Sequence, residues 1–72
     1  MKTIDDRWLD FRAGCIAPDS TSTQLREMRI AFYAGFKAML DANMELAMLP
    51  ELVAVMVLEQ LHIEARQFGA SL

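Results

Sequence analysis

Seven consecutive apolar residues, Leu52-Val53-Ala54-Val55-Met56-Val57-Leu58, stand two positions after Pro50 in a chain of only 72 residues. Pro50 suits the first turn of a helix, and Glu51 beside it suits the positive end of the helix dipole. The segment therefore reads as a helix running to about Phe68, with Gly69 as its C-terminal stop. At about 100° per residue, seven apolar positions in a row pass all the way round such a helix. A helix that is apolar on every side has to be buried on every side. A chain this short has too little other structure to cover it, and further copies of the same chain are the simplest cover. The 54% apolar content points the same way, because so small a domain has little interior in which to hide it.

The rest of the chain also reads as helix. Thr3-Ile4-Asp5-Asp6 has a capping residue followed by acids in a first turn, and Ile4, Trp8 and Phe11 follow at helical spacing. This first helix is expected to stop before Gly14, with Trp8 and Phe11 pinning it to the body. Residues 13–20 contain Gly14 and Pro18 and read as a connection. Thr21 and Gln24 have the spacing of a capping box. From there to Met48 there is no proline, and good helix formers dominate. The short Leu49-Pro50 link makes the second and third helices antiparallel neighbours. The expected fold class is all-α: a short N-terminal helix followed by a long antiparallel helical hairpin, assembling as a homo-oligomer. It forms one domain over residues 1–72, with helices at about 4–12, 22–48 and 50–68.

Other ways of stabilising a small chain are missing from the sequence. Cys15 is the only cysteine, which excludes an internal disulfide and fits a reducing cytoplasm. His62 is the only histidine, so no zinc spacing exists. The N-terminus has no basic start followed by an apolar run, and Leu46–Leu58 is broken by Pro50 and Glu51 and is too short to span a bilayer; neither export nor membrane insertion is expected. The formal net charge of −3 argues against a DNA or RNA binder. Charge is nevertheless uneven. Residues 21–40 carry Arg26, Arg29 and Lys37 against Glu27 alone. Residues 41–64 carry Asp41, Glu45, Glu51, Glu59 and Glu64 with no base.

The second helix divides into faces. Leu25, Phe32, Phe36 and Met39 form a large apolar stripe, and Ala31, Ala34, Gly35, Ala38 and Ala42 form a stripe of small residues. One is expected to meet the hairpin partner and the other a second subunit. Arg26, Arg29, Tyr33 and Lys37 share a third stripe, within about 80° of arc. Two guanidinium groups and an ammonium in line can neutralise phosphates, and a phenol can stack on a base. The competing structural reading pairs these cations with Glu59 and Glu64 across the hairpin. His62 and Arg66 share a face with Glu59 and would extend the anion pocket if another subunit's stripe lay beside them; otherwise the three form a solvated stripe. Glu59-Gln60-Leu61-His62 has the Glu-x-x-His spacing of di-iron helices. Yet this pair points away from Leu58, Leu61 and Ala65, and no second histidine exists, so no metal or cofactor is expected. Asp5, Asp6 and Asp10 read as helix-start acids and surface. Cys15 has no base near it in sequence, and no catalytic constellation is present. The chain is not expected to be an enzyme. The six methionines suit core, interface or an adaptable binding surface.

The run Gln24-Leu25-Arg26-Glu27-Met28-Arg29-Ile30-Ala31-Phe32-Tyr33-Ala34-Gly35-Phe36, preceded by Trp8-x-x-Phe11, resembles small helical accessory proteins encoded by tailed phages and prophages. The resemblance covers about residues 4–45 and centres on Arg-x-x-Ala-Phe-Tyr-Ala-Gly. It implies an accessory gene of phage origin acting in the host cytoplasm, and it carries no activity with it. In architecture the chain is similar to the phage anti-CBASS cyclic-nucleotide sponges, short helical hairpins that hold signalling nucleotides between subunits. That similarity implies sequestration of a phosphorylated nucleotide immune signal, with Arg26, Arg29, Tyr33 and Lys37 as ligand-binding residues. The alternatives are an inhibitor that contacts a host defence or regulatory protein through an apolar helical face, and a structural or assembly protein of the phage particle.

Overall fold

The computed structural model describes all 72 residues, and every regular element in it is helical: α1 (Ile4–Cys15), α2 (Ser22–Ala47) and α3 (Glu51–Ser71). No helix is long and apolar enough to cross a membrane. Two units can be distinguished, Met1–Met39 and Leu40–Leu72, and the boundary between them falls inside α2.

The first unit holds α1 and most of α2. Thr3 caps α1 by a reciprocal pair of bonds: its hydroxyl accepts from the Asp6 amide at 3.0 Å, and the Asp6 carboxylate accepts from the Thr3 amide at 2.9 Å. Two otherwise orphaned donors are satisfied in this way. The bond from the Thr3 backbone amide, and after it the nearby Thr3 hydroxyl, favour the charged carboxylate and hold the Asp6 pKa below the ordinary aspartate value. The start of α2 repeats the device, with the Thr21 amide donating to Gln24 Oε1 at 2.9 Å and the Gln24 amide to Thr21 Oγ1 at 3.1 Å.

Trp8 is the one buried residue, 3% exposed. Its ring lies 6.1 Å from Phe11 and 5.7 Å from Phe32, and Phe11 and Phe32 are 5.4 Å apart. All three separations fall in the favourable range for aromatic pairs. This cluster fastens α1 to α2, as the spacing of Trp8 and Phe11 suggests. Ile4, Leu25, Phe32 and Phe36 are half-buried around it, whereas Met39, assigned to the same stripe from sequence, is exposed.

The helix ends differ from the sequence expectation at four points. Helix α1 runs past Gly14 to Cys15, and Gly14 keeps an ordinary negative φ. Termination falls at Ile16, whose backbone is extended and whose amide bonds Arg12 O at 3.3 Å. Pro18 disfavours helical geometry at Ala17, and that restriction ends the helix where one glycine near its end does not. Helix α3 likewise passes through Gly69, again without positive φ, and ends at Ser71 rather than Phe68. Helix α2 ends one residue early, at Ala47, in a tightened turn with Met48 bonding Glu45 O and Leu49 bonding Leu46 O, both at 3.1 Å. Pro50 is the N-cap of α3 rather than its first helical residue, and its carbonyl accepts from Ala54 at 2.9 Å.

The second unit contains the end of α2 and all of α3. None of its residues is fully buried; Ala42, Leu46, Ala54 and Ile63 are half-buried. Leu52 at 80% exposure, Met56 at 66% and Val55 at 57% stand open on α3.

Candidate functional site

The basic stripe of α2 exists because helical spacing alone places Arg26, Arg29 and Tyr33 on one side of an uninterrupted helix. Arg26, Arg29, Ile30 and Tyr33 line an open depression of about 350 Å³. The Arg29 guanidinium carbon lies 5.5 Å from the centre of the Tyr33 ring, within cation–π range. Lys37 lies one turn further along the stripe and does not line this depression.

The partner of Arg29 is not an acid of α3. Its Nη2 donates to Asp5 Oδ1 at 2.8 Å, with both side chains about half exposed at 53% and 51%. The Tyr33 hydroxyl reaches toward the same oxygen at 3.4 Å. Tyr33 first, and then the Asp5 charge, raise the Arg29 pKa above its ordinary value, so Arg29 is a fixed cation. The contact forms because the Trp8–Phe11–Phe32 cluster lays α1 along α2 and brings the first turn of α1 beside the stripe. Asp5 is the exposed first-turn acid that the sequence suggests, and through Arg29 it also borders the stripe. Its partner is 24 residues away, and local spacing carries no signal for it. Ile30, 58% exposed, is the second residue the sequence reading passed over. It stands between Arg26 and Tyr33 in the helix, and none of the stripes read from the sequence includes it.

The arrangement offers an apolar floor, an aromatic ring and two guanidinium groups, with one carboxylate already held by one of them. Chemically it can bind an anion that carries a flat ring. An incoming phosphate has to compete with Asp5 for Arg29, whereas no such carboxylate is bonded to Arg26.

On α3, Glu59, His62 and Arg66 lie along one side, and none of them forms an ion pair or hydrogen bond. No cluster of three or more His, Cys, Asp or Glu side chains is placed to hold a metal ion. Cys15 is exposed at the end of α1. A second open cleft of about 400 Å³ lies within the first unit, lined by Leu9, Arg12, Ala13, Ile16, Ala17, Pro18 and Leu25. Its lining side chains are apolar apart from that of Arg12.

No protein-family model matches this chain, and no curated protein or solved structure is significantly similar to it.

Proposed function

We propose that this chain is a non-enzymatic binding protein of phage origin that works as a homo-oligomer and sequesters a phosphorylated nucleotide signal of host defence. The observation that carries the reading is the depression on α2, where Arg26, Arg29 and Tyr33 converge beside Ile30. In the bound state Arg26 and Arg29 neutralise phosphates, Lys37 extends the positive stripe, and a base stacks on Tyr33. Asp5 holds Arg29 in place until the ligand takes over the guanidinium. Helices α2 and α3 form an antiparallel hairpin, and copies of the hairpin cover the apolar α3. His62 and Arg66 complete the pocket where they face the stripe of another copy. The ligand is bound and released intact, in the cytoplasm of the host cell. Calorimetry against cyclic di- and trinucleotides and ADP-ribose derivatives tests the proposal; absence of heat from folded protein with every one of them removes it.

A second reading is favoured by the open methionines near the end of α2, Met44 at 72% exposure and Met48 at 87%. Flexible thioether side chains suit a surface that adapts to a protein partner. In that reading the chain inhibits a host defence or regulatory protein by helix-to-surface contact. Nucleotide released from the purified protein on denaturation supports sequestration. A stoichiometric host protein retained on the immobilised chain, with no nucleotide, supports inhibition by contact.

A further inference from the structure

The open side of α3 is complementary to itself. Val55, Met56, Glu59, Ile63, Arg66 and Ala70 lie within about 100° of one another on the helix. Arg66 is the only Lys or Arg after residue 39, against the acids Asp41, Glu45, Glu51, Glu59 and Glu64. It and Glu59 stand about two turns apart on the same edge of this face, and neither has a partner within the chain. Beside them Val55 at 57% exposure and Met56 at 66% stand open, and Ile63 between them is half-buried.

We infer that this face is the seam of a two-fold homodimer in which α3 packs antiparallel on α3 of a second copy. A two-fold axis crossing the helix pair beside Ile63 sets Glu59 of each copy opposite Arg66 of the other, forming two identical ion pairs. The same operation brings Ile63 near its own copy and lays Val55 against the small Ala70 of the other helix. Charge meets opposite charge and large meets small. A parallel arrangement in register instead places Glu59 beside Glu59 and Arg66 beside Arg66, and is rejected by repulsion. A self-complementary patch of this kind closes on itself and needs no third copy. The inference rests on the homo-oligomeric half of the proposed function and is independent of the nucleotide.

Charge reversal tests it, with sedimentation equilibrium as the readout and circular dichroism confirming helix content. Glu59→Arg and Arg66→Glu each replace two attractive pairs by two repulsive ones, and each weakens dimerisation by at least about tenfold. In the double variant both pairs are restored in reverse, and dimerisation returns. Mixing the two single variants also restores it, because each mixed dimer regains two opposite-charge pairs. Ala70→Arg keeps high helix propensity, so it leaves the chain folded, but its bulk blocks the seam and weakens association. A wild-type chain that stays monomeric at about 100 µM overturns both the seam and the homo-oligomer. An oligomer that persists unchanged in the single variants, or that neither the double variant nor the mixture rescues, overturns the seam alone and leaves oligomerisation and nucleotide binding standing.

Discussion

Asp5 decides how the site behaves, because its carboxylate occupies the guanidinium that a phosphate would need. Removing the charge while keeping the shape, as in Asp5→Asn, takes a repulsive group out of the depression and frees Arg29. Affinity for a cyclic dinucleotide is expected to rise several-fold and to become more sensitive to salt. Titration calorimetry at two ionic strengths reads both effects; weaker binding would mean that Asp5 positions Arg29 rather than competing for it. Trp8 matters for a different reason. It is the only buried side chain, and its removal leaves a gap beside Phe11 and Phe32. Trp8→Ala is expected to cost about 3 kcal/mol, the low end for losing a core aromatic. Unfolding in urea measures the loss, and proteolysis within residues 13–20 shows α1 detaching. The sequence showed the two arginines and Tyr33 as a stripe because helical spacing is local information. It did not show Asp5, since that contact depends on how Trp8 seats α1 against α2.

Among the elements, the helix starts were legible and the ends were not. Thr3 with Asp6 and Thr21 with Gln24 are side-chain-to-backbone devices contained within four residues, and both form as their spacing requires. The glycines were the weaker guides. Gly14 and Gly69 remain helical, because a glycine near a helix end costs little and stops the helix only when a left-handed conformation or a following proline demands it. The same logic applies at Gly35 in the middle of α2, where the backbone is ordinary and an added Cβ meets nothing within 4 Å. Gly35→Ala is therefore expected to stabilise the fold by about 0.5–1 kcal/mol, read from the urea midpoint. If stability falls instead, the small-residue stripe is closely packed against another subunit. The cap of α1 also sets a pH limit. Asp6 has its pKa depressed in the folded chain by its bonds to Thr3. Its contribution is thus complete above the ordinary aspartate value and is lost as pH falls through the lower folded value. Acidification below about pH 4 should fray the first turn of α1, seen as loss of amide protection at Asp6 by NMR; in Asp6→Asn, which has no carboxylate to protonate, this acid-dependent step should be absent.

For the molecule as a whole, the decisive quantity is the protection of α3. Its N-terminal half carries apolar side chains at every angle, so one neighbouring helix leaves part of it in water wherever that neighbour lies. In the proposed homo-oligomer the hydrophobic gain from covering Leu52, Val55 and Met56 comes through association, and folding and association then draw on the same free energy. A chain stabilised in this way has no fixed melting temperature. For two chains unfolding together, mass action alone raises the midpoint with concentration, by about 5–10 °C for a hundredfold increase at this chain length. Melting followed by circular dichroism from low to high micromolar concentration should show that rise, and the calorimetric heat of unfolding should match the van't Hoff heat only when the dimer is taken as the unit. The double charge reversal at Glu59 and Arg66 should reproduce the dependence, whereas either single reversal should shift the whole curve to lower temperature at every concentration. A midpoint indifferent to concentration would mean that one chain covers α3 by itself.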